Sequence, residues 1–347
     1  MSFAIAGRGI GTGRVFVIAE AGVNHNGRPD LARRLVDAAA DAGADAVKFQ
    51  TFEPAALVDA REPKVAYQAK NTGSQGSQLE MLAELTLLRE MLVELAGRAR
   101  KRDIIFLSTP FDPASADLLY GLEVPAFKIG SGDLTNLPLL RHVARMGLPM
   151  IVSTGGATLS EVAAAVDAVH AISKAPLALL HCVTSYPAPD DAANLLAMDA
   201  MRERFSLPVG WSDHMLDIWV AIAAASRGAA IVEKHLTLDR ELPGPDHRAS
   251  AEPDRFAEMV RAIRAVETAL GSAEKRPDER ELDTIRAARR SLYARRDLEP
   301  GHDLEEEDVV ALRPGDGLSA ARIDEFVGRT LGRRVTAGAR LSETDFR

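Results

Sequence analysis

The stretch DAVKFQT, residues 45–51, is a short apolar run broken by one lysine, Lys48. Apolar runs of this length suit parallel strands covered on both faces. Just upstream, Leu31, Leu35 and Ala39 recur at helical spacing over 30–42, and Gly43 is placed to cap that helix. A similar run, VFVIAEA (15–21), precedes the helix. Downstream come IIFLST (104–109), AFKIGS (126–131), PMIVSTG (149–155), LALLHCV (177–183), PVGWS (208–212) and AIVEKHL (230–236). Helical patterns lie between them: 79–101, read as one helix carrying Leu82, Leu85, Leu92 and Leu95, and 254–270 with Phe256, Met259, Val260, Ile263 and Val266. Eight alternations of β run and helix predict an α/β fold, a closed (β/α)8 TIM barrel over 1–271, with an open flavodoxin-like sheet as the alternative.

The pattern changes after Gly271. Residues 272–290 are polar and charge-rich and read as a linker, part helical. Residues 291–347 hold short pieces, SLYARRDL, VVALRP and RRVTAGARL, separated by the turn signals Glu299-Pro300-Gly301 and Pro314-Gly315-Asp316-Gly317. This predicts a small β-rich module, in which Glu305-Glu306-Glu307-Asp308 reads as a solvated helix start. The whole chain of 347 residues exceeds the roughly 250 typical of one barrel, which leaves room for such a module. Its 42 basic and 50 acidic residues leave a net charge of −8, which argues against nucleic acid or an anionic membrane as a partner. The single cysteine, Cys182, excludes an intrachain disulfide and fits a reducing cytoplasm. No signal-type N-terminus is evident, and no apolar run reaches the roughly 20 residues of a membrane span.

In a (β/α)8 barrel, catalytic groups stand at the C-terminal ends of the strands. The first run ends at Glu20, the second at Lys48 and Gln50, and the third at Ser108 and Thr109. The fourth delivers Lys128 and Ser131, the fifth Ser153 and Thr154, and the sixth His181, Thr184 and Tyr186. The seventh brings Ser212, Asp213 and His214, and the eighth Glu233, Lys234 and His235. Polar groups at one end of every run predict one active-site mouth. Lys48, Lys128, Thr109, Ser131 and Ser212 offer cations and hydroxyl donors without negative charge, a set suited to a phosphate-like anion. The turn Gly130-Ser131-Gly132 would also admit backbone N–H groups to an oxyanion. A lysine inside an apolar strand needs an anion; a structural ion pair is the other explanation for Lys48. His214 and His235 close neighbouring runs, and barrel strands lie about 4.8 Å apart, so both imidazoles can reach one ion. With Asp213 and Glu233 beside them, the pair suits a divalent metal, Mn²⁺ or Mg²⁺. His25 is not part of a His-x-His pair, which argues against binuclear hydrolase barrels; His142, His170 and His302 read as surface residues.

In order and spacing, IAEAGVNHNG (18–27), VKFQT (47–51), FLSTPFD (106–112), FKIGSGD (127–133), VSTGG (152–156), HCVTSYP (181–187), GWSDH (210–214), VEKHLTL (232–238) and GPDH (244–247) resemble the sialic acid (nonulosonate) synthases. RPGDG (313–317) resembles their C-terminal antifreeze-like (SAF) domain. The stretch 64–82 looks more like the members that make neuraminic or legionaminic acid than the pseudaminic subset. The resemblance implies condensation of phosphoenolpyruvate with an N-acyl mannosamine-type sugar, forming a nine-carbon 2-keto acid and phosphate. It implies that Lys48, Thr109, Lys128, Ser131, Ser153, Thr184 and Ser212 hold phosphoenolpyruvate, and that His214 and His235 ligate the metal. Gln50, Tyr186 and Asp246 would face the sugar, with Glu20 as the catalytic carboxylate. Arg313 would reach the sugar from the partner chain of a domain-swapped homodimer. Some members carry Asn at the position of Thr184, so the phosphate contact there is open. The competing readings are a synthase of a shorter 3-deoxy keto acid, a Schiff-base aldolase using Lys128 or Lys234, and, from the module alone, a non-catalytic carbohydrate- or ice-binding protein.

Overall fold

The computed structural model describes residues 2–64, 69 and 76–347, in two compact units, Met1–Gly271 and Ser272–Arg347. The first unit opens with an antiparallel hairpin, β1 (Phe3–Ile5) and β2 (Arg8–Ile10). Eight parallel strands follow: β3 (Phe16–Gly22), β4 (Ala46–Thr51), β5 (Ile105–Pro110), β6 (Phe127–Ile129), β7 (Met150–Ser153), β8 (Leu177–Cys182), β9 (Val209–Asp213) and β10 (Ile231–His235). Their order is β5-β4-β3-β10-β9-β8-β7-β6, and β5 and β6 lie against each other at the seam without a hydrogen-bonded ladder. The result is a TIM-type barrel with helices on its outside.

Side chains alternate across each strand, so each run feeds two cores. Phe16, Ile18, Ala46, Leu107, Ile151, Ala178, Leu180 and Ile231 fill the barrel interior, joined by Ile5 and Ile10 of the hairpin. Val17, Val47, Phe49, Phe106, Val152, Leu179, Trp211 and Val232 belong to the core shared with the helices. That double burial is why the runs read as continuously apolar.

The single helix expected over 79–101 is two helices, Gln78–Glu84 and Arg89–Lys101. A capping box at Ser77 and Glu80 starts the first, which lays Met81 against Val23 and Phe52, with Leu85 just past its end. The second buries Leu92, Leu95 and Ala99 in the barrel wall. One straight helix cannot serve two such surfaces, so the chain breaks between them. The sugar-subset resemblance over 64–82 rests partly on residues 65–68 and 70–75, which lie outside the described residues.

The second unit pairs β11 (Ser291–Ala294) with β12 (Val309–Leu312) around its own core of Leu292, Leu298, Leu304, Phe326, Leu331 and Leu341. The stretch read as a linker includes a helix, Leu282–Ala288, with no buried residue. The acidic run starts a short 3-10 helix, Glu306–Asp308, and Glu305, Glu306 and Glu307 are exposed as expected. Asp308 departs from that expectation: it is 1% exposed, and its carboxylate takes the Nε2 of His302 at 2.6 Å and the Nε of Arg296 at 2.8 Å. His302 is correspondingly a structural partner and not a plain surface residue. In a module with so small a core, a buried carboxylate tied to two loops replaces some apolar packing. Among the described residues, no helix is long and apolar enough to cross a membrane.

Candidate active site

Alternation along the strands sorts the polar strand ends into two sets. Ser108, Thr154, His181, Asp213 and Lys234 face away from the barrel axis. Ser108 bonds Thr51 at 2.7 Å, Thr154 the Leu180 carbonyl at 3.0 Å, and His181 the Ala193 carbonyl at 2.9 Å. Asp213 and Lys234 form a fully buried ion pair at 2.9 Å. Asp213 is therefore committed to that lysine and does not flank the histidines as a ligand, and Lys234 is not an amine in the mouth.

The other set converges. One cavity of about 250 Å³ is lined by Glu20, Lys48, Gln50, Thr109, Lys128, Ser131, Ser153, Thr184, Tyr186, Ser212, His214, His235 and Asp246, so every barrel residue to which the resemblance gives a role is in it. Arg313 is exposed in the second unit, directly after β12. The cavity also contains Glu233, which the sequence places beside the histidines, and residues that sequence reasoning did not place in the site: Cys182 and an apolar wall of Val23, Met81, Leu82, Leu85 and Phe111. Strand alternation was the available signal for Cys182. The wall had none, because its members come from separate elements.

The cationic set is not free of negative charge. Lys48 Nζ lies 2.6 Å from Glu20 Oε2 and 3.7 Å from Glu233 Oε1, and donates to Thr109 Oγ1 at 3.0 Å. Lys128 Nζ lies 3.3 Å from the same Glu233 oxygen. Gln50 donates to Glu20 Oε1 at 3.0 Å, and Ser212 to Glu233 Oε1 at 3.4 Å. Burial pushes the Glu20 carboxyl above its ordinary range, against the pull of Lys48. Burial also works to raise Glu233, but Lys128 and Lys48 outweigh it and hold that carboxylate low. Lys128 is drawn below the usual lysine value, chiefly by burial. For Lys48, burial is outweighed by Glu20 and Glu233, which keep its ammonium charged. The barrel end thus holds two lysines offset by two carboxylates, an arrangement an incoming anion can reorganise.

His214 donates from Nδ1 to the Val183 carbonyl at 2.7 Å, which commits that nitrogen and leaves Nε2 as the one with a lone pair. Its ring is 5.4 Å from that of His235 and 4.1 Å from that of Tyr186. His235 Nδ1 is buried with no hydrogen-bond partner, 4.0 Å from Asp246 Oδ2. Burial pulls His214 down to about 4 and His235 well below its ordinary value, so both are neutral near pH 7. Two neutral imidazoles, one holding an orphaned nitrogen, fit a cation. Among the described residues, no group of three or more His, Cys, Asp or Glu is arranged to enclose one. Asp246 is pushed up to about 7, first by burial and then by Glu20.

Gly155 sets the floor near the hydroxyls. Its N–H donates to Ser131 Oγ at 2.9 Å, and a Cβ there would stand 2.3 Å from Thr184 Oγ1. Only a residue without a side chain lets these two hydroxyl-bearing loops meet.

Residues 35–275 match the NeuB family, and residues 289–347 match the SAF domain. The chain is 46% identical to the N,N'-diacetyllegionaminic acid synthase of Legionella pneumophila, over 94% of this chain and 93% of that protein. It is 42% identical to the synthase of the same name from Campylobacter jejuni, over 91% and 95%. The solved structure of N-acetylneuraminic acid (sialic acid) synthetase from Leptospira borgpetersenii, in complex with citrate, superposes with a TM-score of 0.71 at 34% identity, covering 82% of this chain and 95% of that one. With the NeuB match spanning most of the barrel and these relatives nearly the full length, the chain belongs to the NeuB family of sialic acid synthases and carries a SAF domain.

Proposed function

We propose that this enzyme is a transferase that condenses phosphoenolpyruvate with an open-chain N-acetylmannosamine-type amino sugar, releasing phosphate and forming a nine-carbon 2-keto acid. The observation that carries the reading is a register: His235 pairs with Glu20, and Glu20 with Lys48, across three adjacent strands. A neutral imidazole, a carboxylate and an anion-binding lysine therefore stand side by side in one cavity.

Lys48 and Lys128, with the hydroxyls of Thr109, Ser131, Ser153, Thr184 and Ser212, would bind the phosphate and carboxylate of phosphoenolpyruvate. The new anion competes with Glu20 and Glu233 for the lysines, which makes Glu20 a stronger base. Gln50, Tyr186 and Asp246 would orient the sugar. His214 and His235 would hold a divalent ion, Mn²⁺ or Mg²⁺, which when bound supplies Lewis-acid polarisation of the aldehyde oxygen. Carbon 3 of phosphoenolpyruvate bonds to the aldehyde carbon, whose oxygen takes up a proton. Water adds at carbon 2 and Glu20 accepts its proton. The carbon–oxygen bond to phosphate then breaks, the hydroxyl proton leaves with the phosphate, and the new oxygen becomes the ketone.

The reading includes a domain-swapped homodimer in which Arg313 of one chain completes the partner's sugar site; a guanidinium suits an oxygen-rich ligand. It also includes a cytoplasmic location, supported by the lone buried Cys182.

The test is phosphate release from phosphoenolpyruvate against N-acetylmannosamine, its 6-phosphate and a 2,4-diacetamido-6-deoxy sugar, with product mass. The apolar wall of Val23, Met81, Leu82, Leu85 and Phe111 favours the 6-deoxy sugar over the phosphorylated one. A product with fewer than nine carbons, or no phosphate with any sugar, overturns the reading. The drawn-down Lys128 is the one feature that favours a Schiff-base aldolase. Borohydride with a keto acid is expected to leave the protein unmodified; covalent trapping would select that alternative.

A further inference from the structure

The ion pair on the outside of the barrel wall stands directly behind both imidazoles. Asp213 precedes His214, Lys234 precedes His235, and the two are paired in the ladder between β9 and β10. Lys234 Nζ donates to Asp213 Oδ2 at 2.9 Å and to the Met215 carbonyl at 2.7 Å. Asp213 Oδ1 in turn accepts from the Met215 N–H at 3.0 Å. Lys234 thus holds the Asp213 carboxylate on one side of His214 and the Met215 backbone carbonyl on the other, and His214 lies just beyond the end of β9. The His214 carbonyl accepts from the Ala188 N–H at 3.0 Å.

We infer that Lys234, with Asp213, is a positioning residue that holds His214 in place opposite His235. Lys234 and Asp213 have fully buried side chains and are not among the residues lining the active-site cavity, so they would touch neither substrate. A buried ion pair is not a device for stability alone, since well-packed apolar residues of similar volume often replace one at no cost. What apolar residues cannot replace is the two-point hold on residues 213 and 215. The lysine's own strand carries His235 as the next residue, so one side chain couples the two imidazole-bearing segments.

The metal arm of the test rests on the function proposed above; the imidazole arm does not. The double variant Asp213→Leu, Lys234→Met is compared with the wild type, and Asp213→Asn serves if the double variant fails to fold. Three quantities are measured on substrate-free protein: ¹⁵N-histidine resonances without metal, Mn²⁺ affinity, and phosphoenolpyruvate affinity. The expected result is a folded protein whose His214 signal no longer reports a single Nδ1–H tautomer, while His181 and His247 are unchanged. Mn²⁺ affinity falls about 10–100-fold, the usual effect of losing a residue that orients a ligand, and phosphoenolpyruvate affinity stays within about twofold. A folded variant with wild-type His214 resonances and wild-type Mn²⁺ affinity overturns the inference. If the wild type binds no Mn²⁺, the metal reading fails by itself and the His214 resonance decides the positioning role.

Discussion

Lys48 Nζ stands 2.6 Å from Glu20 Oε2, and both side chains are 3% exposed. In the proposed mechanism, the lysine that would bind the substrate anion is thus held in the resting enzyme by the carboxylate that would take the water's proton. Binding the anion and activating the base would then be one electrostatic event, because whatever claims Lys48 also releases Glu20.

Glu20→Gln separates the two roles. The neutral amide removes the base but leaves Lys48 less encumbered. Turnover is expected to fall by about 10²–10⁴-fold, the range for loss of a general base, while phosphoenolpyruvate affinity stays equal or tightens. A variant with normal kcat removes Glu20 from the mechanism.

Asp246 gives a pH signature. Its carboxyl is raised from 3.8 to about 7 by burial and Glu20, so the folded state keeps a proton that the unfolded chain has lost between about pH 4 and pH 7. Stability associated with this group is present in full below about pH 4 and is lost as pH rises to about 7, by about 4 kcal/mol at most. Asp246→Asn should flatten that part of the curve when denaturant unfolding is followed across pH in both proteins. Parallel curves for the two would show that Asp246 ionises normally in the fold.

The imidazoles predict a second pH effect. His214 is held down to about 4 and His235 well below its usual value, so neither is protonated at pH 6. Mn²⁺ affinity should persist to about pH 5 and fail only as pH approaches 4, whereas an exposed histidine pair would lose it near pH 6.5. Chelation should abolish turnover and metal add-back restore it. The double variant His214→Ala, His235→Ala should not bind; wild-type affinity there sinks the assignment.

Arg313 can be tested by complementation. An Arg313→Ala chain and a Glu20→Gln chain, each nearly inactive alone, are mixed. If Arg313 serves the partner's cavity, one site of the mixed dimer carries both lesions and the other is intact, so activity returns. If it serves its own chain, every site carries one lesion and the mixture stays dead. A fully active monomer also removes the swap.

Local chemistry made much of the protein legible in its sequence. Apolar runs alternating with helical patterns predict a barrel, because strands buried on both faces must be apolar throughout. A lysine in such a run, as at Lys48, and histidines closing neighbouring runs, as at His214 and His235, mark the site because polar groups are costly there without a purpose. Alternation splits the polar strand ends into two faces, and the tertiary structure fixed which face looks inward and what each end pairs with. Glu233 and Lys234 are neighbours in sequence, yet one joins the two lysines of the cavity and the other is sealed behind the wall with Asp213. It also decided the charge state of the site. Burial and the spacing of charges set the pKa values of Glu20, Asp246 and His214, and both depend on residues distant in the chain. The apolar wall is of the same kind: Val23, Met81 and Phe111 become one surface only after the helix expected over 79–101 breaks and its first part lies against the cavity.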